Sequence, residues 1–157
     1  MKKMNFLSRL SYQRKLELRE PSEEIKDSYE KKSESNLIAA KILVKNKKFE
    51  EAVGLTYYSM YHQALALFAK VGIKCENHTA TIRLLKEIFK IENKQLEDAK
   101  SEREDKQYYT DFKIVQEDVK NMVKTAERFN QKLYDLIVKI DAQKVEEYRK
   151  ELKELLK

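Results

Sequence analysis

Apolar side chains recur at helical spacing over long stretches of this chain, and short polar segments separate these stretches. The strongest pattern runs from Phe49 to Val71 and ends at Gly72, a residue suited to a left-handed helix C-cap. A second long pattern extends from Ile114 to Leu155. Because apolar residues three and four apart share one face of a helix, both stretches are predicted to be helices that pack against other elements.

Two weaker patterns precede the central stretch. A short helix or arm is predicted before Pro21, because the residue before a proline is pushed out of helical geometry. Pro21 and Ser22 then open a helix that ends at a polar turn over residues 45–48. Residues 31–35, in the middle of this helix, are all polar. We therefore expect part of the helix to be exposed.

The region between the two strong patterns is shorter and more polar. Asn77 or Thr79 can cap a helix that begins a few residues after Gly72. Residues 91–111 are highly charged, with few apolar positions apart from Leu96. They are predicted to form a loop that contains a short helical piece.

Glycine and proline are scarce in the chain. Gly54, Gly72 and Pro21 are the three such residues, whereas average usage predicts about 19 at this length. This excludes hairpin-rich β folds and glycine-rich phosphate loops, and it suggests a close helix contact at Gly54. The predicted fold is all-α, an antiparallel up-and-down bundle of four to five helices with a long C-terminal helix. The predicted organisation is a basic arm or short helix at 1–20, the bundle at 21–140 and a helical extension at 141–157.

Charge is distributed unevenly along the chain. Thirty-three basic and 27 acidic residues give a net charge of +6, and residues 1–20 alone carry six basic and two acidic side chains. A basic arm can contact phosphate or an anionic surface, or it can be a solvated helix face. The single cysteine, Cys75, excludes an internal disulfide, and no apolar run approaches a membrane span. We expect a cytoplasmic protein without a membrane partner.

The candidate chemistry is concentrated in the central helix. His62 lies within six residues of Tyr57, Tyr58 and Tyr61. A histidine can act as a general acid or base near neutral pH, and tyrosine rings can stack on a nucleotide base. The alternative is a buried histidine bonded to a core tyrosine. His78 is either a residue of a helix start or part of the same cleft. With two histidines and one cysteine, no metal ion or cofactor is predicted.

The stretch from Phe49 to Phe89 resembles the HEPN domain family, in its branch of stand-alone prokaryotic proteins. Members of that branch read A-x-S-R-A-Y-Y-A-M-F-H-A-A, followed by a glycine and a helix start similar to T-H-x-G. The segment from Arg103 to Tyr109 is similar to the family's R-x-x-A-D-Y stretch. The resemblance covers roughly residues 25–140. The residues that match the central pattern are Tyr57, Tyr58, Met60, His62, Ala64, Gly72 and His78.

The resemblance implies a four- or five-helix bundle that is commonly dimeric. Many members cleave RNA without a metal through an R-x(4–6)-H motif, in which the histidine assists proton transfer and the arginine stabilises charge on the phosphate. Others bind nucleotides or act beside a minimal nucleotidyltransferase. In this chain the motif positions before His62 hold Leu55, Thr56 and Tyr57. The motif arginine is therefore absent.

We therefore expect a homodimer that binds nucleotide or RNA near His62 and partners a nucleotidyltransferase in a toxin–antitoxin-type pair. Little nuclease activity is expected without the motif arginine, and His62 is the candidate catalytic residue. Two alternatives stay open, which are a metal-independent ribonuclease with a displaced arginine and a non-catalytic helical adaptor. Lys74, Arg83 and Arg103 are the cations that could replace the motif arginine. The predicted binding residues are Tyr57, Tyr58, Tyr61, His78, Lys74 and Arg83.

Overall fold

The structure is a computed structural model that describes the backbone of residues 4–108 and 116–157 and the side chains of 4–104 and 116–157. Seven helices and two short strands make up these described parts of the chain. Their order is α1 (Phe6–Tyr12), β1 (Leu16–Leu18), α2 (Glu23–Lys45), α3 (Phe49–Val71), β2 (Ile73–Cys75), α4 (His78–Glu87), α5 (Lys94–Tyr108), α6 (Gln116–Lys139) and α7 (Ala142–Leu155).

Helices α2, α3, α5 and α6 form the body of the fold. They run up and down in succession, and α3 packs against each of the other three. Most of α3 is buried, including the fully enclosed side chains of Tyr57, Met60 and Leu67. The predicted all-α helical bundle is confirmed. Its central helix is the one with the strongest apolar pattern in the sequence.

The end of α3 confirms the predicted glycine cap. Gly72 has a φ of 78°, in the left-handed region, and its amide donates to the carbonyls of Phe68 and Ala69. A Cβ at this position would come within 2.3 Å of the Arg19 carbonyl oxygen, so the site requires glycine. The close contact expected at Gly54 is wrong, because a Cβ there meets no atom within 4 Å.

The N-terminal segment packs on the main core. Leu7 and Leu10 of α1 and Leu16 of β1 are buried. Strand β1 pairs antiparallel with β2, with Leu16 opposite Cys75. The short helix agrees with the prediction, whereas the strand was missed because three residues are too few to show an alternating pattern. The basic segment therefore contributes apolar side chains to the fold.

The long pattern that begins at Ile114 is divided into two helices. Its first two residues lie outside the described residues, α6 ends at Lys139, and Asp141 caps α7 by accepting a bond from the Lys144 amide at 2.8 Å. Leu152 of α7 is completely buried. The long C-terminal helix that the sequence predicts is therefore divided in two, and α7 packs on the core.

The charged region that was predicted to be a loop is helical where it is described. Helix α5 occupies Lys94–Tyr108, and residues 109–111 lie outside the described residues. The apolar pattern of this region is weak because, among the described side chains of α5, Leu96 and Ala99 are the buried apolar ones. Asn77 caps α4 by accepting a bond from the Ala80 amide, as predicted. Among the described helices, none is long and apolar enough to cross a membrane.

Candidate functional site

The tyrosine and histidine side chains of α3 divide between two depths. Tyr57 and Tyr61, four residues apart, are buried, with 0% and 6% of their surface exposed. Tyr58 and His62, also four apart, are half-buried and share the neighbouring face. This face meets side chains from α2, α4 and α5. We call the resulting group the histidine–arginine cluster, and its members are Tyr29, Asn36, Tyr57, Tyr58, Tyr61, His62, His78 and Arg103.

His62 is held in one orientation by α2. Its Nδ1 lies 2.8 Å from the Asn36 side-chain oxygen, which can only accept a hydrogen bond. Nδ1 therefore carries the proton, and Nε2 is the nitrogen with a free lone pair in the neutral ring. The rings of Tyr29 and Tyr58 stack on the imidazole, at centroid distances of 6.0 and 6.1 Å. The histidine is thus fixed in tautomer and in ring plane.

The surroundings of His62 favour its neutral form. Burial lowers the pKa of His62 below its usual value of 6.5, and the positive charge of Lys32 and the proximity of His78 lower it further. At neutral pH the ring is therefore uncharged. An uncharged imidazole with a free Nε2 can accept a proton from a hydroxyl group.

His78 enters the same cluster from the first turn of α4. Its Nδ1 lies 2.7 Å from the Tyr57 hydroxyl, and its ring stacks on Tyr61 at a centroid distance of 3.9 Å. Burial lowers the pKa of His78, followed by the positive charges of Arg103 and Lys100. His78 therefore packs against the same tyrosines of α3 that flank His62, and it too is neutral at neutral pH. A shared binding site for the two histidines stays a prediction.

The two buried tyrosines, Tyr57 and Tyr61, carry uncharged hydroxyl groups. Burial raises the pKa of Tyr61 to about 12, and it raises the pKa of Tyr57 further still. Neither hydroxyl ionises near neutral pH. Their roles in the cluster are to pack against His78 and, for Tyr57, to hydrogen-bond it.

Arg103 brings a positive charge from α5. Its Nη1 donates to the Tyr58 hydroxyl at 2.8 Å, and its Cζ lies 5.2 and 5.1 Å from the ring centroids of Tyr57 and Tyr58. The Arg103 Nε is buried and has no hydrogen-bond partner among the described residues. Of the three cations that the sequence offered as substitutes for the motif arginine, the structure brings Arg103 into contact with the aromatic face of α3.

The other two predicted cations contact carboxylates. Lys74 lies 3.0 Å from Glu76 and 3.6 Å from Glu17, beside the small sheet. Arg83 pairs with Glu87 one turn away on α4. These contacts do not include the histidines. A binding role for Lys74 and Arg83 stays a prediction, without a contact that links them to the cluster.

Two members of the cluster were not singled out from the sequence. They are Tyr29 and Asn36, both on α2. The polar middle of α2 is exposed, as expected, at four of its five residues, whereas Ser33 is 2% exposed and bonds to Ser59 of α3. The useful signal was the seven-residue spacing of Tyr29 and Asn36, which places both on one helix face.

The cluster contains no set of acidic and thiol ligands. Within the described residues, no group of three or more histidine, cysteine, aspartate or glutamate side chains could hold a metal ion. The one cysteine, Cys75, is free and buried at the end of β2. The groups available for chemistry are two neutral imidazoles, tyrosine hydroxyls and one guanidinium.

Comparison with known proteins identifies the class. The family model described as the HEPN domain matches residues 26–136. This range includes all of α3 and α5, most of α2 and α6, and every member of the cluster. The chain belongs to the HEPN family.

A particular relative shares part of this sequence. The protein named "Putative toxin MJ0605" from Methanocaldococcus jannaschii is 38% identical to this chain over 52 residues. The match covers 33% of this chain and 39% of that protein. The chain therefore matches well under half of the relative's length.

Proposed function

We propose that this chain is a toxin-like HEPN protein that binds the phosphate and base of a nucleotide or RNA at the histidine–arginine cluster. The observation that carries the proposal is the bond from Arg103 to Tyr58, beside the stacked ring of His62. Arg103 supplies a positive charge at the aromatic face of α3, where the motif arginine is absent. The name of the relative and the family membership support the toxin-like role.

The chemistry of the cluster suits a phosphate ester of a nucleoside. Guanidinium groups remain charged at all physiological pH values and bind phosphate oxygens through paired N–H donors. The Arg103 Nε, which has no partner among the described residues, is such a donor. Half-buried tyrosine and histidine rings can stack on a base, an interaction worth about 1–3 kcal/mol for each base.

The partners of the chain follow from the same proposal. Toxins of this kind are kept inactive by a second protein, and the family resemblance points to a nucleotidyltransferase in that role. A homodimer is part of the proposal, because it is common in the family. Co-expression with the neighbouring gene, followed by size-exclusion chromatography with light scattering, tests the partner and the dimer together.

The binding proposal is tested with Arg103→Gln and Arg128→Gln. Arg128 is exposed on α6 and supplies the same change of charge outside the cluster. Fluorescence anisotropy with a short single-stranded oligoribonucleotide should show at least a tenfold loss of affinity for Arg103→Gln, because a charged hydrogen bond to phosphate is removed. Equal affinities for the two variants would reject the cluster as the binding site.

A second candidate function is RNA cleavage without a metal, and it is favoured by the contact of Arg103 with Tyr58, whose ring stacks on His62. His62 Nε2 would accept the proton of a ribose 2′-hydroxyl as that oxygen attacks the phosphorus. The bond to the 5′-oxygen breaks, and this oxygen takes a proton from water, leaving a 2′,3′-cyclic phosphate. Arg103 would stabilise the negative charge that develops on the phosphate oxygens.

Cleavage is tested by incubating RNA with the protein in EDTA and analysing the product ends. Cyclic phosphate ends that disappear with His62→Ala, and fall by about 100- to 1000-fold with Arg103→Gln, would establish the second function. Intact RNA together with Arg103-dependent binding would establish the first function alone.

A further inference from the structure

A groove of about 570 Å³ lies between α2 and α6, on a different face of α2 from the one that contacts His62. Gln63 of α3 lies at its floor, directly after His62 in the chain. We call it the α2/α6 groove. Its described lining residues include Asp27, Glu30, Ser33, Glu34, Gln63 and Asn130, with Leu37 and Tyr134 as apolar walls.

The floor of the groove is a set of fixed hydrogen bonds between three helices. The hydroxyl of Ser33 donates to the Ser59 carbonyl at 2.7 Å, and the Ser59 hydroxyl donates to the Ser33 carbonyl at 2.7 Å. The Asn130 side-chain nitrogen donates to the Ser59 hydroxyl at 2.9 Å. These bonds orient the Asn130 amide. Its oxygen, Oδ1, is buried and has no hydrogen-bond partner among the described residues.

Two further buried polar atoms line the same groove without a hydrogen bond to any described residue. They are Gln63 Nε2, on a side chain that is 4% exposed, and Glu30 Oε1. Lys26 Nζ lies 3.9 Å from that oxygen, which is too far for a hydrogen bond. A buried polar atom without a partner typically costs about 1–3 kcal/mol, so a ligand that supplied hydrogen bonds to these three atoms would gain binding energy from them.

The charge of the groove selects the kind of partner. The described lining has four carboxylates, those of Asp27, Glu30, Glu34 and Glu127, and one ammonium, that of Lys31. Lys26 pairs with Asp27 at 2.6 Å and Lys41 pairs with Glu127 at 2.8 Å, so the negative charge open to a ligand is that of Glu30 and Glu34. This excess of negative charge favours the binding of a cation over the binding of phosphate. Gln63 Nε2 requires an acceptor and Asn130 Oδ1 requires a donor. A peptide group offers both, as a carbonyl and an N–H.

We propose that the α2/α6 groove binds a basic segment of a partner protein. A backbone carbonyl of that segment accepts from Gln63 Nε2, and a backbone N–H donates to Asn130 Oδ1. A lysine or arginine side chain pairs with Glu30, while its aliphatic stem packs on Leu37 and Tyr134. The proposal does not depend on nucleotide binding at the histidine–arginine cluster.

The test uses two small probes that separate the peptide group from the cation. N-acetyl-L-lysine N-methylamide carries both, and N-acetyl-L-alanine N-methylamide carries the peptide groups alone. Each is titrated into ¹⁵N-labelled full-length protein and followed by the side-chain amide signals of Gln63 and Asn130. We expect saturable shifts of both signals, with about tenfold tighter binding of the lysine probe, since its ammonium gains a charged hydrogen bond.

Variants localise the binding. Glu30→Gln should reduce the affinity for the lysine probe to that for the alanine probe, whereas Glu97→Gln, an exposed site on α5, should leave it unchanged. Shifts that do not saturate, equal affinities for the two probes, or groove signals that move with an oligoribonucleotide instead would each overturn the proposal. None of these outcomes bears on binding at the cluster, which is measured through Arg103.

Discussion

The histidine–arginine cluster and the α2/α6 groove use consecutive residues of α3, His62 and Gln63, and yet differ in two respects. In the cluster most polar atoms are paired within the chain, as His62 is with Asn36, and the net charge comes from Arg103. In the groove three buried polar atoms are unpaired among the described residues, and the lining is acidic. Helix α3 thus contributes to a cationic site whose side chains are held in place by hydrogen bonds, and to an acidic site whose buried polar atoms have no hydrogen-bond partner among the described residues. The comparison predicts ligands of opposite charge.

The largest stability effect is expected at the floor of the groove, with Ser59→Ala. This change leaves the Asn130 Nδ2 and the Ser33 carbonyl without the Ser59 hydroxyl; Ser33 and Ser59 are buried, and Asn130 is half-buried. We expect a loss of about 1–3 kcal/mol in the free energy of unfolding, measured by urea denaturation. An unchanged midpoint would mean that the serine bonds do not hold α2, α3 and α6 together.

A smaller effect is expected in the cluster from Tyr57→Phe. The ring and its packing are kept, and the bond to His78 Nδ1 is lost. We expect a loss of about 1 kcal/mol, because His78 is half-buried and water can replace part of the bond. Tyr61→Phe is the comparison variant, since its ring also stacks on His78 while its hydroxyl bonds to Thr81 and not to the histidine. A Tyr57→Phe variant as stable as the parent protein would show that ring contacts, and not the Tyr57 bond, hold His78.

The two regions should also respond to pH in opposite directions. Burial depresses the pKa values of His62 and His78 below 6.5, so the unfolded chain binds protons that the folded chain does not. The free energy of unfolding is therefore highest above pH 6.5. It falls as the pH drops below 6.5 through the lower pKa values of the two histidines in the folded chain. Replacing His78 with glutamine should flatten this acid-side decline in a series of urea titrations. A decline of equal slope would place the proton uptake elsewhere.

The smallest effect is expected from Glu30→Gln. Burial raises the pKa of Glu30 above its usual 4.5, so its ionised form is disfavoured in the folded chain. Its contribution is destabilising at neutral pH and disappears as the pH falls below 4.5. We expect the variant to be as stable as the parent or up to about 1 kcal/mol more stable at neutral pH. A clear loss of stability would mean that Glu30 is paired with Lys26 more firmly than their 3.9 Å separation indicates.

The sequence was sufficient for those features that depend on neighbouring residues. The apolar spacing of α3, the Gly72 cap and the Asn77 cap each arise from a few consecutive positions. His62 and its tyrosines could be singled out for the same reason, because they lie within two helical turns. The family assignment rested on that same stretch and was confirmed by the match over residues 26–136.

The features that were missed depend on contacts between distant parts of the chain. Strand β1 exists because β2 pairs with it, and α7 departs from the α6 axis because Asp141 caps a new helix. Arg103 reaches the cluster across a charged helix whose own pattern is weak. Sequence spacing could list Arg103 among the available cations, but it could not select it over Lys74 and Arg83.

The central claim is that an anion binds beside His62 and His78 with the help of Arg103. The direct measurement is an NMR titration of the two imidazole rings, with and without a saturating oligoribonucleotide in which the 2′-hydroxyls are methylated to prevent cleavage. The account predicts that both pKa values start below 6.5 and rise when the oligonucleotide is present, because a nearby phosphate stabilises the imidazolium. In Arg103→Gln the rise should be absent at the same oligonucleotide concentration. Imidazole pKa values that do not change at saturation would contradict the claim.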